Sequence, residues 1–286
     1  MKLLSYLKLM RIKHYFKNLL IFLPLIFSMS FYNIEKDIKT LIGFILFSLV
    51  CSMVYIINDI NDIEKDKKHP RKCKRPLASG KVTKKEAYIL LAILAIIVIG
   101  GSVLMNTGIY SSIILVVYLI LNILYSKFLK NIPIIDVICL VTGFVLRVVY
   151  GASIIDVEVS NWLYLTIISF SFYLALGKRR NELQAGTDTR AVLKYYNKDF
   201  LDKNMYMFLT LMIVFYSMWC VDASNIVKFD NKLIFTVPIL MIICMKYSMN
   251  IERQSEGDPV EILFSDKVLM ALVLIFIICI GAIVIL

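Results

Sequence analysis

Three aspartates that follow directly on a long apolar stretch have the spacing needed to bind a metal ion. Asp59, Asp62 and Asp66 are spaced i, i+3 and i+7, which on a helix places them within about 60° of one face. Like charges on one face repel each other, so a positive group is expected to compensate them. Carboxylate oxygens suit a hard cation, and Mg²⁺ typically binds one or two carboxylates together with substrate phosphates. The sequence therefore predicts catalytic and metal-binding roles for these aspartates, with an acidic solvated loop as the less favoured alternative.

A basic segment follows the aspartates at residues 69–81. Pro70, Pro76 and Gly80 predict a non-helical path through it. Cations beside an acidic face are the arrangement expected around a metal–diphosphate complex. Arg75 is the best phosphate-binding candidate here. Most of the other cations, taken singly, are explained better by the excess of Lys and Arg in the cytoplasmic loops of membrane proteins.

Two charged residues lie inside one apolar stretch. Asp136 and Arg147 are 11 residues apart, so they project within about 20° of the same helix face. Charges inside a membrane are costly and usually face a polar cavity or a partner. Two interpretations stay open: an ion pair to other helices and, for Arg147, the border of a pocket for an anionic lipid headgroup.

Further candidate binding residues stand where apolar stretches end. Tyr125 and Lys127 end one stretch, and Lys178, Arg179 and Glu182 end another. Anchoring at the membrane surface explains such residues about as well as binding does. Glu182 could also pair with Lys178, which lies one helical turn away.

The elements that must position these residues are membrane-spanning helices. The 286-residue chain is 59% hydrophobic with a mean hydropathy of +0.78, whereas an ordinary soluble domain is about 45–50% apolar. Only helices satisfy the backbone of such stretches in lipid. We therefore predict an all-α integral membrane protein with nine spans, the last of them capped by Asp266. The predicted spans are residues 18–32, 40–58, 86–105, 109–126, 132–153, 161–177, 205–222, 233–250 and 267–286.

The distribution of positive charge sets the predicted orientation. With a cytoplasmic N-terminus, 27 of the 32 Lys and Arg residues lie in inner segments, 4 in outer segments and 1 inside a span. This asymmetry follows the positive-inside rule, so the net charge of +11 requires no nucleic-acid partner. Residues 1–17 are predicted to be an amphipathic helix on the membrane surface. Residues 59–85 and 178–204 are predicted to be long cytoplasmic active-site loops of a single domain, residues 1–286.

The nine apolar stretches, with the pattern NDxxDxxxD at residues 58–66 after the second of them, resemble the UbiA superfamily of membrane transferases. The resemblance covers nearly the whole chain and is closer to the polyprenyl-phosphate phosphoribosyltransferase branch. It implies a helical bundle around a central cavity open to the cytoplasmic side of a cell membrane. The segments that carry the branch resemblance are residues 11–18, 66–80, 136–147, 177–183 and 257–266.

One departure from the prenyltransferases of the superfamily supports that branch. Those enzymes carry a second aspartate-rich motif after the sixth span, where this sequence has Lys178, Arg179 and Glu182. One aspartate site can serve one diphosphate, and the cationic side then suits a phosphate monoester. The loop that follows has only scattered aspartates, Asp188, Asp199 and Asp202.

The resemblance implies transfer of a 5-phosphoribosyl group from phosphoribosyl pyrophosphate to a polyprenyl phosphate in the bilayer, with Mg²⁺ as cofactor and diphosphate released. The alternative is transfer of a prenyl group from a prenyl diphosphate to an aromatic or other acceptor. A transporter is disfavoured because no internal repeat is visible; a homo-oligomer stays open. The implied substrate-binding residues are Lys17, Asn58, Arg75, Tyr125, Lys127, Arg147, Lys178, Arg179 and Glu182.

Overall fold

A computed structural model describes residues 2–70, 72–184, 191–253 and 259–285 of the chain. Every regular element in these ranges is helical, which confirms the predicted all-α class. Several short 3₁₀ helices occur as well, and one of them, Ile12–Phe22, connects α1 to α2. The α-helices are α1 (Lys2–Met10), α2 (Leu23–Phe27), α3 (Ile34–Asn61), α4 (Ile63–Lys67), α5 (Lys84–Leu104), α6 (Gly108–Lys127), α7 (Ile135–Ile154), α8 (Asn161–Gln184), α9 (Lys198–Cys220), α10 (Ala223–Phe229), α11 (Val237–Arg253), α12 (Pro259–Ser265) and α13 (Lys267–Ile285).

Six helices in the described ranges are long and apolar enough to cross a membrane. They are α3, α5, α6, α7, the helix Lys232–Glu252 that contains most of α11, and α13. The pair α9 and α10, bent by 60°, would make a seventh if it forms one span. The protein is therefore a multi-pass integral membrane protein, as predicted.

The prediction of nine spans is not confirmed by helix length and composition. The first predicted span, residues 18–32, is broken into the 3₁₀ helix Ile12–Phe22 and the short α2, and Met29 (φ 61°) has a left-handed backbone beyond them. Pro24 stands in the first turn of α2, where its missing N–H does not disturb a helix start but prevents continuation of an earlier helix. Helix α8 has 24 residues but carries many hydroxyl and charged side chains. Nine spans stay a prediction.

The surface helix predicted for residues 1–17 is shorter than expected. Helix α1 ends at Met10, and the left-handed backbone of Arg11 (φ 53°, ψ 48°) stops it. A left-handed conformation costs a non-glycine residue roughly 1–2 kcal/mol, so other contacts must hold Arg11 in place. Leu3 and Leu4 are exposed on α1, which is consistent with an apolar face for lipid.

The chain divides into two compact units. The first comprises Met1–Lys127 and Leu146–Glu158, and the second comprises Phe128–Val145 and Val159–Leu286. The division falls within α7, which contributes a segment to each unit. Each unit has its own buried apolar cluster.

Helix α3 is the central helix of the first unit. The Asn33 side chain caps its N-terminus by accepting hydrogen bonds from the backbone N–H groups of Glu35 and Lys36. The helix packs against α1, α5, α6 and the 3₁₀ helix Ile12–Phe22, and Phe47 lies fully buried on it. Packing on several sides fixes the orientation of the polar residues at its C-terminal end.

Gly151 on α7 is a point of close backbone approach in the first unit. A Cβ atom there would collide with the carbonyl oxygen of Ile21, which cannot rotate away as a side chain can. We expect Gly151→Ala to destabilise the protein by about 1–3 kcal/mol, seen as a lower midpoint of thermal unfolding in detergent. Gly100→Ala is the matched control, because its Cβ would meet no heavy atom within 4 Å and alanine favours a helix. An unchanged midpoint for Gly151→Ala would contradict this packing.

The second unit is organised by α8 and α9, which pack along each other and against α11. Tyr173, Leu201 and Ile251, one from each helix, belong to its buried cluster. The Tyr173 hydroxyl lies 2.6 Å from the Ser248 hydroxyl, so this buried phenol is satisfied. The C-terminal part of α8, which carries several predicted binding residues, is held within this core.

Candidate functional site

The three predicted metal-binding aspartates do not lie on one continuous helix. Helix α3 ends at Asn61, and Asp62 (φ −98°, ψ 7°) separates it from the short α4. Asp59 and Asp66 are both buried, with 2% and 3% of their surfaces exposed, whereas Asp62 is half-buried. The helix expected to carry all three aspartates is therefore interrupted at Asp62.

Arg75 brings the two buried aspartates together. One of its terminal nitrogens, Nη1, donates to Asp66 Oδ2 at 2.7 Å and to Asp59 Oδ1 at 3.2 Å. The loop holds Arg75 through its backbone, since its N–H donates to the Lys72 carbonyl and its own carbonyl accepts from Ser79. The predicted compensating charge is therefore present, and the residue predicted to bind phosphate is in contact with two of the predicted metal ligands.

Lys72 is a further cation near Arg75, and it is partly buried. Partial burial lowers the pKa of the Lys72 amine, and the nearby Arg75 lowers it further. An anion bound here would favour the charged form of Lys72, which burial and the repulsion from Arg75 disfavour. This agrees with the prediction that the basic segment binds phosphate.

Arg11 is a second cation at this site that the spacing analysis missed. Its Nη2 donates to Asp59 Oδ1 at 2.6 Å, and its guanidinium carbon lies 4.6 Å from the centre of the Tyr55 ring. Ser52 donates to the Met10 carbonyl at 2.8 Å, which fixes the end of α1 against α3. These contacts account for the left-handed backbone of Arg11, since together they can offset its cost.

The side-chain oxygen of Asn58 is buried and has no hydrogen-bond partner. An unsatisfied buried oxygen is costly, and it lies next in sequence to Asp59. Within the described ranges no group of three His, Cys, Asp or Glu side chains is arranged to hold a metal ion. The available donors, Asn58 with Asp59 and Asp66, are nevertheless the hard oxygens that Mg²⁺ prefers, so they fit such an ion once the arginines release the carboxylates.

Arg147 belongs to a separate polar cluster in the first unit. Its Nε donates to Asn18 Oδ1 at 2.8 Å and its Nη2 donates to the Tyr118 hydroxyl at 3.0 Å. Asn18 is oriented in turn by its donation to Ser48 at 2.8 Å, and the Phe47 ring faces the guanidinium at 5.4 Å. The positive charge is thus buried among polar and aromatic groups.

Asp136 belongs to a buried network in the second unit. It accepts hydrogen bonds from Arg179 Nε and, at 2.6 Å, from the Tyr196 hydroxyl. Arg179 also donates to Glu182 at 2.7 Å, and neither Asp136 nor Arg179 has any exposed surface. For Asp136, the interpretation as an ion pair to another helix is confirmed. Asp136 and Arg147, although predicted to share a helix face, have different partners.

The remaining predicted residues are dispersed over several helices. Lys17 and Tyr125 are half-buried and Lys127 is exposed in the first unit, and Lys178 is half-buried in the second. Arg180, next to Arg179, pairs with Asp202. Arg71 in the segment 66–80, Gly257 and Asp258 in the segment 257–266, and the loop residue Asp188 lie outside the described residues.

Asp266 caps α13, as predicted. Its Oδ1 accepts from the backbone N–H groups of Val268 and Leu269 at 2.8 and 3.0 Å. Lys246 lies 2.8 Å from its other oxygen. These donors, the lysine first, hold the pKa of the Asp266 carboxyl well below its usual range. The contacts give Asp266 a structural role.

Comparisons with known proteins identify the family and the fold. The sequence profile of the UbiA prenyltransferase family matches residues 21–272. Decaprenyl-phosphate phosphoribosyltransferase of Mycolicibacterium smegmatis is 30% identical, over 96% of this chain and 91% of its own. The Corynebacterium glutamicum protein of the same name is 30% identical, over 96% of this chain and 84% of its own. A UbiA homologue from Archaeoglobus fulgidus, solved bound to GPP and Mg²⁺, superposes with a TM-score of 0.70 at 17% identity, over 99% of this chain and 100% of its own.

Proposed function

Because this chain belongs to the UbiA prenyltransferase family, we propose that it is a membrane transferase that uses phosphoribosyl pyrophosphate as donor. The 5-phosphoribosyl group passes to a polyprenyl phosphate, and diphosphate is released. The two relatives named decaprenyl-phosphate phosphoribosyltransferase, at 30% identity over nearly the whole chain, support this choice of donor and acceptor.

The observation that carries the proposal is the pairing of Asp59 and Asp66 through Arg75. Buried carboxylates joined by an arginine place oxygen ligands for a cation and a donor for phosphate within one small site. We assign the metal to Asp59, Asp62 and Asp66, with Asn58 adjoining, and Mg²⁺ as the ion. When bound, it supplies positive charge that stabilises the leaving diphosphate.

The acceptor site is proposed to lie at Arg147. An oxygen of the lipid phosphate is already anionic at neutral pH, so it can attack the anomeric carbon of ribose without a strong general base. The new bond is C1–O to the lipid phosphate, and the bond that breaks is C1–O to diphosphate. Arg147, oriented by Asn18 and Tyr118, would hold the lipid phosphate by electrostatic attraction and orientation.

The other predicted binding residues are kept as proposals with different roles. We propose that Lys178, which is half-buried, contacts a substrate phosphate, and we propose the same binding role for Lys17, Tyr125 and Lys127. Arg179 has no exposed surface. We therefore propose that Arg179, with Glu182, positions the end of α8.

The topology is proposed from the charge distribution. Of the Lys and Arg residues, 27 fall in inner segments and 4 in outer segments if the N-terminus is cytoplasmic and nine spans are present. The whole chain would then form one bundle-like domain with a cavity open to the cytoplasmic side, where the water-soluble donor is found. The family match over residues 21–272 supports a single domain.

The proposed function is tested by following label from phosphoribosyl pyrophosphate into lipid. Purified protein in detergent is incubated with Mg²⁺, labelled donor and polyprenyl phosphates of several lengths. We expect label in the lipid phase. This label should disappear with EDTA, which removes the metal ion, and in the Asp62→Asn variant, which lacks one of the proposed metal ligands. The folded state of the variant is checked by thermal unfolding.

Prenyl transfer is the alternative outcome of the same assay. Absence of labelled lipid from intact protein would contradict phosphoribosyl transfer. Prenyl diphosphates with an aromatic acceptor would then be supplied, and consumption of the diphosphate would assign prenyl transfer instead.

A further inference from the structure

Arg11 has contacts that neither a surface helix nor a membrane anchor requires. Its guanidinium lies 2.6 Å from Asp59 and faces the Tyr55 ring, while Ser52 holds the preceding carbonyl of Met10. Ser52, Tyr55 and Asp59 follow one another along α3 at intervals of three and four residues, so they present one continuous face to Arg11. The Arg11 side chain is still 23% exposed, so a ligand can reach it from solvent.

The charges at this site balance only while no ligand is bound. Asp59 Oδ1 is shared by Arg11 at 2.6 Å and Arg75 at 3.2 Å, and Asp66 is paired with Arg75. Two buried carboxylates therefore face two guanidinium groups. Asp59 cannot offer the same oxygen to a divalent cation and keep both arginines. Once the carboxylates hold a cation, Arg11 loses its partner and lies beside added positive charge.

We propose that Arg11 exchanges partners during binding. It pairs with Asp59 in the empty site and with a phosphate oxygen of the diphosphate when metal and diphosphate are bound. The inference rests on the proposed function, because it assigns a residue to the diphosphate of that reaction. Guanidinium groups bind phosphate through parallel N–H donors, and the Tyr55 ring can support the cation in either state.

The exchange predicts two changes of opposite sign when Arg11 is removed. In the empty site Arg11 competes with the cation for Asp59, so Arg11→Ala should bind Mg²⁺ alone several-fold more tightly. In the loaded site Arg11 contributes a charged hydrogen bond, so the same variant should bind diphosphate with Mg²⁺ about tenfold more weakly. A purely structural role would weaken both affinities together.

The experiment is calorimetric titration of the purified full chain in detergent. Mg²⁺ is titrated alone, and inorganic diphosphate is then titrated at saturating Mg²⁺. Lys13→Ala is the matched control, because Lys13 lies exposed on the same segment and its loss removes the same charge. If the thermal midpoint of Arg11→Ala is much lower than that of wild type, Arg11→Gln is used instead, because glutamine fills more of the space of the arginine side chain.

Opposite shifts in the Arg11 variants, with both affinities unchanged in Lys13→Ala, are the expected result. Unchanged affinities in the Arg11 variants, or a parallel weakening of both, would overturn the exchange. Failure of the proposed function would be seen separately. If the wild-type protein transfers no phosphoribosyl group but the Arg11 variants show the opposite shifts, the proposed function is overturned and the Arg11 assignment stands.

Discussion

Replacing Asp66 with asparagine is expected to lower the rate of phosphoribosyl transfer about a thousandfold while the protein stays folded. The substitution keeps the size of the side chain but removes one of the charges proposed to hold Mg²⁺. A metal ion supplies several kcal/mol of stabilisation to developing charge, and about 4 kcal/mol corresponds to a thousandfold change in rate. The measurement is transfer of label into lipid at saturating donor.

Asp66 is a better position for this test than Asp59. Asp59 contacts both Arg11 and Arg75, so neutralising it disturbs two half-buried cations at once. After Asp66→Asn, Arg75 still keeps its contact with Asp59, and the loss of stability should be small. Activity and folding are thus separated more cleanly at Asp66.

Glu64→Gln is the matched control on the same short helix. Glu64 is exposed and pairs with Lys67 at 2.8 Å, and an exposed pair of this kind contributes at most about 1 kcal/mol. Its neutralisation should leave transfer within about twofold of wild type. Near-normal transfer by Asp66→Asn would remove the metal assignment, whatever the control shows.

The helical class and the position of the acidic site could be predicted from sequence because both depend on local patterns. Long apolar stretches specify helices in lipid, and α3, α5, α6 and α7 lie close to where hydropathy placed them. Asp59 and Asp66 stand at the end of such a stretch, and a compensating cation was expected beside them. Arg75, only nine residues from Asp66, provides it.

The rest depends on pairing between distant parts of the chain, which spacing does not encode. Arg11 is 48 residues from Asp59, and Asn18 is 129 residues from Arg147. The break at Asp62 also could not be read from helical spacing, since the spacing fits an unbroken helix equally well. For Arg11 a signal did exist, as it is the first residue of the segment 11–18 that carries the resemblance to the phosphoribosyltransferase branch.

The second large effect is expected from Asp136→Asn, which should destabilise the protein by about 3–5 kcal/mol. Asp136 and Arg179 are a pair with no exposed surface, and removal of one partner leaves a buried charge uncompensated. Glu182, 2.7 Å from Arg179, still offers a counter-charge, so the lower end of that range is expected. The measurement is the midpoint of thermal unfolding in detergent. Asp199→Asn is the control, because Asp199 is exposed in the first turn of α9 and its charge contributes less than about 1 kcal/mol there.

A double variant, Asp136→Asn with Arg179→Gln, decides between the two roles of Arg179. If Arg179 only positions α8, neutralising both partners removes the uncompensated charge and should restore much of the stability together with lipid labelling. If Arg179 binds phosphate, the double variant regains its unfolding midpoint but labels no lipid. An Asp136→Asn midpoint equal to that of wild type would contradict the buried pair itself, since no exposed surface is available to relieve the charge on Arg179.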